Sequence, residues 1–287
     1  MQFLASVVVL SCVYSILASG FVVIYRSSRI LNFAYADVVM MIGYFSVTMV
    51  ELIGGPPVIS LTIVLLLSFI FGFLIYASLI RPMAGEPIFS TIILTVALGI
   101  ILQAATILIW RGELESISIG WRKYYPLFEG TRLASTEIVI IITTILFFIA
   151  LSGFYRFSRI GQQMRATAEN TLLAAQRGIN VHFVTALAWA IGVFATGIAS
   201  ILLGSNYTVS LYMGHVAIKA FSVALVGGLD SIKGIIPAAF LVALTELAAT
   251  NYINPRLADT MPFIIMIMVL LVRPWGFWGT EEEIERV

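Results

Sequence analysis

Charged and titratable side chains within or beside apolar segments are the residues of this sequence that could do chemistry. Asp37, His215 and Glu246 could in principle form a buried acid–base set, but nothing in their spacing supports one. Glu246 lies well inside an apolar run, where a carboxylate is costly unless it is paired or hydrated. We expect it either to face a polar pathway or to form structural hydrogen bonds within a helix bundle, and the sequence assigns it no partner.

Several classes of chemistry are excluded by what the chain lacks. It contains no GxxxxGK[ST] phosphate loop, which excludes ATP hydrolysis by that route, and no HExxH or GxSxG motif. The single Cys12 and the widely separated His182 and His215 offer no disulfide framework and no metal-ligand cluster. A net charge of +1 gives no field that would favour nucleic acid. We therefore expect no enzyme activity and no metal or cofactor bound by this chain.

The elements that must position these residues are transmembrane helices. Of the 287 residues, 60% are hydrophobic and only 11% are charged, against about 25% charged in a typical soluble domain. A spanning helix needs roughly 20 apolar residues, and the apolar runs are residues 2–25, 38–50, 58–80, 88–110, 138–155, 183–203, 216–229, 234–250 and 262–272. The sequence predicts an all-α, polytopic transmembrane bundle forming a single domain over residues 1–287. Because 216–229 is short, eight and nine crossings both remain open.

Basic residues in the short loops predict the orientation of the chain. With the N-terminus outside, the loops that hold Arg26, Arg29, Arg81 and the basic stretch at 156–177 all face the cytoplasm. An excess of Lys and Arg on the cytoplasmic side is the usual bias of membrane proteins. We therefore expect a multi-pass protein of a plasma membrane with an extracytoplasmic N-terminus.

Broken or re-entrant helices are predicted in each half of the chain. Near the start, Asn32 to Asp37 precede a short apolar run, and in the second half Lys219 precedes the Gly227-Gly228 pair. Interrupted segments at corresponding places of two halves are typical of a transport path. The alternative is two ordinary loop edges with a snorkelling Lys219. Small residues in the run 183–203, such as Gly192 and Thr196, favour close packing inside the bundle over a dimer seam.

The stretch 154–184 carries four arginines and one acid between two apolar segments. Ala168, Leu172, Ala175 and Ile179 recur at helical spacing and predict one apolar stripe, while Arg165 and Glu169 share a polar face. Gly178 followed by Ile-Asn is typical of a helix C-cap. Such a helix could dock a soluble partner or only anchor the loop at the membrane surface.

Four motifs, in order, resemble those of the branched-chain amino-acid ABC transporter permeases. NFAYAD at 32–37 is similar to the family's NFAHGD, and RATAENTLLAAQRGIN at 165–180 is similar to its cytoplasmic R-A-x-x-E-N/D-x-x-x-A-x-x-x-G-I-N pattern. KAFSVALVGGLDSIKG at 219–234 resembles its K-A-F and G-G-x-G-S block, and RPWGFWG at 273–279 resembles its R-P-x-G-L-F-G ending. The resemblance covers nearly the whole chain and is greatest to the smaller, Liv H-type permease.

The resemblance implies an importer subunit that translocates branched-chain or other amino acids. Its partners would be two cytoplasmic ATPases that hold ATP and Mg²⁺, a second and different permease, and an extracytoplasmic solute-binding protein. The segment at about 156–182 would be the coupling segment seated on an ATPase, with the residues Arg165, Ala166, Thr167, Glu169, Asn170, Ala174, Gly178, Ile179 and Asn180. The translocation path would include Asn32, Asp37, Lys219, Gly227, Gly228 and Glu246.

Departures from the family motifs leave the solute open. Tyr35 and Ala36 stand where the family has His and Gly, and Asp230 replaces a Gly. If those positions contact the solute, specificity differs from that for branched-chain amino acids. The alternative function is an ion-coupled carrier, with Glu246 and Lys219 as coupling groups, or a channel for a small polar solute such as urea or an amide.

Overall fold

Helices make up most of the described chain. The structure is a computed structural model that describes residues 1–117, 123–128 and 131–281. Its elements are α1 (Gln2–Ser28), α2 (Tyr35–Ile53), α3 (Pro57–Ile75), α4 (Ile88–Trp110), β1 (Tyr124–Phe128), β2 (Thr131–Ala134), α5 (Ser135–Phe157), α6 (Arg159–Glu169), α7 (Thr171–Gln176), α8 (Val181–Asn206), α9 (Met213–Gly227), α10 (Ile232–Ala248), α11 (Pro255–Ala258) and α12 (Met261–Val272). A π-helical turn, Tyr76–Ile80, extends α3, and another, Ala249–Ile253, extends α10.

The predicted polytopic helical bundle is confirmed. In the described part, seven helices are long and apolar enough to cross a membrane, namely α1, α2, α3, α4, α5, α8 and α10. The shorter apolar helices α9 and α12 correspond to the short runs in the sequence. The pattern missed two features. Helix α2 begins at Tyr35 rather than at Val38, and β1 pairs antiparallel with β2 in the polar loop before α5.

Proline and left-handed residues set several helix ends. Pro57 occupies the first turn of α3, where its missing N–H needs no partner. Arg29 adopts φ 54° after α1, and its N–H donates to the Tyr25 carbonyl at 2.7 Å. This left-handed cap stops α1 and sends the chain back along the bundle as a short non-helical segment, residues 29–34.

Helices α1 and α8 form the centre of the bundle. Helix α8 packs against α1, α2 and α3, and α1 also packs against α9 and α10. The backbones of α1 and α8 approach at a pair of glycines, because a Cβ on Gly192 would lie 3.0 Å from the Gly20 carbonyl oxygen. The small residues of this run therefore pack inside the bundle, as expected. In contrast, α3, α4 and α5 are mostly exposed and form the periphery.

Candidate functional site

The predicted coupling segment is two helices rather than one. Ser158 caps α6 by accepting a hydrogen bond from the Gly161 N–H at 2.8 Å. At Asn170 the backbone becomes extended (φ −154°), and the side chain accepts from the Leu173 N–H at 2.9 Å, which starts α7. A residue that serves as an N-cap has non-helical dihedrals. The expectation of one continuous helix through 165–178 is therefore wrong.

The end of α7 has the geometry that the sequence suggested. Gly178 adopts φ 81°, and its N–H donates to the Ala175 carbonyl at 2.9 Å. The Ile179 N–H donates to the Ala174 carbonyl at 3.1 Å, which completes a glycine cap. Asn180 then caps α8 by accepting from the Phe183 N–H at 3.1 Å. The chain thus passes from the segment into the central helix with only a four-residue connection.

Most of the residues predicted for the coupling segment are exposed. Arg165, Glu169, Asn170, Gly178 and Asn180 are exposed, Ala166 and Ile179 are half-buried, and Thr167 and Ala174 are buried. The predicted apolar stripe is wrong, because the break at Asn170 separates its members and Leu172 is 69% exposed. Among the described residues, no ion pair joins Arg165 to Glu169.

Two of the six residues predicted for the translocation path line a cavity of about 310 Å³. The returning segment 29–34 brings Asn32 to this cavity, and the first turn of α2 brings Asp37. Gln103 of α4 and His215 of α9 complete the polar part of the lining. The segment before α2 and helix α9 therefore meet at this cavity, but α9 is unbroken through Lys219 and brings neither Lys219 nor the Gly227-Gly228 pair to it.

Aromatic rings form one wall of the cavity. Phe21 lies 5.2 Å from Phe221 between ring centroids, and Phe221 lies 6.4 Å from Phe33. On the open side, Phe33 is 47% exposed and Ile218 is 43% exposed. Gln103 is also exposed there, on a helix whose other exposed residues are almost all apolar. The cavity therefore opens on one face of the bundle.

Lys219 and Glu246 are partners. The Lys219 Nζ lies 2.7 Å from Oε1 of Glu246 and 2.6 Å from Oδ1 of Asp259. The Tyr14 hydroxyl donates to Oε2 of Glu246 at 2.5 Å. The hydrogen bond and charge of Lys219 hold the pKa of the Asp259 carboxyl below its usual range. This network ties α1, α9 and α10 to the turn before α12, and it supplies the partner that the sequence could not assign to Glu246.

Gly227 and Gly228 lie away from this cavity. At these two glycines the end of α9 packs closely against the start of α10 and the C-terminal segment. Gly228 has φ 100°, and a Cβ on Gly227 would lie 2.7 Å from the Gly234 carbonyl oxygen. The Phe277 N–H donates to the Val226 carbonyl at 2.9 Å, and the Trp278 N–H donates to the Gly227 carbonyl at 3.2 Å. The glycine pair therefore seats the C-terminal RPWGFWG segment and does not line the cavity.

Comparison with known sequences identifies the family. The sequence profile described as "Branched-chain amino acid transport system / permease component" matches residues 3–270. The chain belongs to this permease family. It is 29% identical to the high-affinity branched-chain amino acid transport system permease protein LivH of Escherichia coli K12, over 98% of this chain and 95% of that one.

Two further relatives come from distant organisms. The chain is 28% identical to the permease protein BraD of Pseudomonas aeruginosa, over 96% of this chain and 94% of the relative. It is 24% identical to the probable branched-chain amino acid transport permease LivH of Methanocaldococcus jannaschii, over 97% and 92% of the two chains. The resemblance seen in the motifs is thus confirmed. The protein is an ABC permease, a multi-pass transport subunit of the plasma membrane, and neither the carrier nor the channel alternative is favoured.

The departures from the permease motifs have visible consequences. Tyr35 is fully buried, and its hydroxyl donates to the Leu17 carbonyl at 2.9 Å, so it packs into the core and does not line the cavity. Ala36 does line the cavity. Asp230 accepts hydrogen bonds from the backbone N–H and the hydroxyl of Thr280, and it thereby holds the C-terminal segment beside the glycine junction.

Three contributors escaped the sequence-based prediction. Gln103 lines the cavity, and Tyr14 and Asp259 complete the ion network. His215 was named with Asp37 although their spacing did not support it, and both line the cavity. A usable signal existed for the network. A lysine and a glutamate in successive membrane segments are each other's expected partners, because an unpaired charge is costly there. No comparable signal marked Gln103, since its place in the lining depends on how α4 packs against α2.

Proposed function

We propose that this permease is the membrane-spanning subunit of an ATP-binding-cassette importer. It would pair with a second permease and with two cytoplasmic ATPases, which hold ATP and Mg²⁺. An extracytoplasmic binding protein would deliver the solute, a branched-chain or other amino acid. This chain would then form one domain whose only contribution is mechanical and selective, with hydrolysis on its partners.

The observation that carries the proposal is the exposed, capped α6–α7 segment. Its ends are fixed by hydrogen bonds at Ser158 and Asn180, and α6 packs against α1, α5 and α8. A short capped segment that continues into the central helix can move as a rigid body and tilt the helices attached to it. The exposed Leu172 and Leu173 give it an apolar tip for a cleft on the ATPase.

The orientation and the pairing follow from the same proposal. The α6–α7 segment must face the cytoplasm to meet an ATPase, which places the N-terminus outside. The second permease would cover the mouth of the cavity, because Phe33, Gln103 and Ile218 are exposed there. A polar Gln103 facing lipid would lack hydrogen-bond partners, whereas at a subunit interface it would find them.

A double variant tests the coupling role. Glu169→Lys reverses a charge at the end of α6, and Gly178→Ala strains the left-handed cap of α7. We expect ATPase co-purification and ATP-dependent leucine uptake in proteoliposomes to fall together by about tenfold or more. The matched control is Gly85→Ala with Glu86→Lys, which alters an exposed glycine of φ 99° and the acid beside it in another loop.

Three outcomes would decide against the proposal. The first is uptake that persists without any ATPase subunit, and the second is uptake that collapses when a proton gradient is dissipated at constant ATP. The third is equal loss of ATPase binding in the control variant, which would remove the α6–α7 segment as the specific contact.

A further inference from the structure

A second and larger cavity, of about 1090 Å³, lies between α3, α5 and α8. It shares no helix with the cavity of about 310 Å³, which is lined from α1, α2, α4 and α9, and the importer function assigns it nothing. Helix α8 forms its floor, because the lining residues Ile198, Ile201 and Leu202 are all buried. The cavity is therefore a groove along the central helix, with α3 and α5 as its walls.

The groove opens towards lipid. Its lips are apolar, since the lining residues Val58 of α3 and Val139 of α5 are 64% and 46% exposed. Both helices are long and apolar enough to cross a membrane, and most of their other exposed residues are aliphatic. An opening between two such helices meets hydrocarbon rather than water. A molecule that fills the groove therefore comes from the membrane.

The length of the groove is close to the depth of one lipid leaflet. On each helix the lining spans eight residue steps, namely Pro57 to Leu65, Ser135 to Thr143 and Ile198 to Asn206. At about 1.5 Å per step this is about 12 Å, and half of a hydrocarbon core of about 30 Å is about 15 Å.

The three stretches start from the same end of the bundle. The Thr136 hydroxyl donates to Oδ1 of Asn206 at 2.9 Å, which joins the start of α5 to the end of α8. Helix α3 runs antiparallel to α8, because Gly72 lies beside Trp189 whereas Gly197 lies beside Ser68. This is the end away from the α6–α7 segment, which connects the other ends of α5 and α8. The groove thus lies in the leaflet opposite that segment.

Polar side chains collect at this end of the groove. Ser116, Tyr207 and Thr208 form an exposed rim there. Tyrosine is enriched at the level of lipid headgroups, where its ring contacts hydrocarbon and its hydroxyl contacts water. None of the described lining residues carries a charge. The rim therefore offers hydrogen bonds at headgroup level and does not select for a charged headgroup.

The deeper hydroxyls of the groove are already satisfied. The Thr62 hydroxyl donates to the Val58 carbonyl at 2.7 Å, and the Ser205 hydroxyl donates to the Ile201 carbonyl at 2.6 Å. A hydroxyl that bonds a carbonyl of its own helix needs no partner from a ligand. A polar solute would lose hydrogen bonds to water in this part of the groove and gain few in return. The groove is thus polar at one end and suited to hydrocarbon along the rest.

We propose that this groove is a phospholipid-binding site. One acyl chain of a glycerophospholipid lies along α8 between α3 and α5, and its ester and phosphate oxygens accept hydrogen bonds from the rim of Ser116, Tyr207 and Thr208. With the α6–α7 segment in the cytoplasm, as proposed above, the lipid belongs to the extracytoplasmic leaflet. The site goes beyond the importer function, since it requires neither solute nor ATP. The bound chain packs on α8, the helix that continues from the α6–α7 segment.

Photo-cross-linking in nanodiscs tests the site. The purified permease–ATPase complex is reconstituted in phosphatidylethanolamine that contains a trace of the same lipid with a diazirine, either beside the ester or at the middle of one acyl chain. We expect mass spectrometry to find the ester-proximal label at 205–208 and the mid-chain label at Leu65 and Ile198. Both labels should exceed those at Ile63 and Ile142, exposed positions outside the groove, by at least about tenfold. Phosphatidylglycerol probes should label the groove to within about twofold of this, because no charge lines it.

Two variants fill the groove from its two walls. Thr62→Trp acts from α3 and Thr143→Trp acts from α5, and each should lower the labelling of the groove by about tenfold. The matched controls Ile63→Trp and Ile142→Trp place the same ring at the adjacent position of the same helix, outside the lining, and should label as wild type does. Co-purification of the ATPase shows that each variant is folded. Native mass spectrometry of the wild-type complex in detergent, which needs no variant, should find retained phospholipid.

Four results would overturn the proposal. Equal labelling of the groove and of Ile63 and Ile142 would mean ordinary contact with bulk lipid. Groove positions that cross-link to a neighbouring subunit instead of lipid would mean that protein covers the groove. Mid-chain label at 205–208 with ester-proximal label at Leu65 would place the lipid in the other leaflet, and a wild-type complex that retains no phospholipid would have no such site. None of these results alters ATP-dependent uptake, so failure of the lipid site and failure of the importer function are distinguishable.

Discussion

The ion network and the α6–α7 segment differ in whether their charged side chains are buried and paired. Lys219 and Glu246 have side chains that are 13% and 10% exposed, and each is bonded to the other at 2.7 Å. Arg165 and Glu169 are exposed and share no ion pair among the described residues. The first region satisfies its charges from within this chain, and the second leaves its charges available to another molecule.

This difference separates residues that hold the bundle together from residues that connect it to a partner. A buried charge stripped of its partner is strongly destabilising. An exposed charge on a short helix contributes little to folding, since solvent already surrounds it. We therefore expect substitutions in the network to act first on stability and substitutions in α6–α7 to act first on assembly and transport.

The largest effect should come from Lys219→Met. This change leaves Glu246 buried with Tyr14 as its remaining described partner, and we expect a loss of about 3–5 kcal/mol in the free energy of unfolding. Chemical unfolding of the purified chain in detergent measures it. The double variant Lys219→Met with Glu246→Gln should regain most of that loss, because no buried charge is then left unpaired and Asp259 is exposed to solvent.

Two results would contradict the distinction between a structural ion network and an exposed docking segment. If Lys219→Met unfolds like wild type, water must reach Glu246 and the network is not structural. If the double variant is as unstable as the single one, the loss comes from the shape of the Lys219 side chain and not from its charge.

The bundle and its spanning segments could be predicted from the sequence because they depend on local composition. Residues 88–110 were bounded correctly as α4, since Pro87 and Arg111 flank an uncharged run. The family motifs placed Asn32 and Asp37 in the translocation path, which stays a prediction, and the structure brings both residues to one cavity.

The misses arose where one contact decides between two local structures. Asn170 could have continued a helix, but its side chain caps α7 and ends α6. Gly227 and Gly228 were predicted for the path, which stays untested, but the Gly227 carbonyl accepts from the Trp278 N–H about 50 positions later in the chain. Hydrophobic periodicity predicts neither outcome, because both depend on hydrogen bonds to particular atoms.

An intermediate effect should separate two exposed apolar positions. Ile101 of α4 is 63% exposed and Leu172 of α7 is 69% exposed. We expect Ile101→Gln to destabilise the protein by about 1–3 kcal/mol, because it places an amide against lipid or an apolar subunit face. Leu172→Gln should stay within about 0.5 kcal/mol of wild type, while ATPase co-purification falls. Thermal unfolding in nanodiscs and pull-down of the ATPase measure the two quantities. Equal destabilisation by both changes would mean that α7 lies in the membrane surface and is not free for a partner.

The smallest effect is expected at the exposed end of the network. Asp259 is bonded to Lys219 at 2.6 Å, but its side chain is 82% exposed. Because its pKa is lowered on folding, its contribution to stability is present above the unfolded value of about 3.9 and is lost only as the pH falls through the folded value. Between roughly pH 5 and 8 the carboxyl stays ionised in both states. The difference in thermal midpoint between wild type and Asp259→Asn should therefore be small and constant across that window. A difference that changes with pH in the assembled complex, but not in the isolated chain, would place Asp259 under the second permease, and the network would then extend from this chain into its partner.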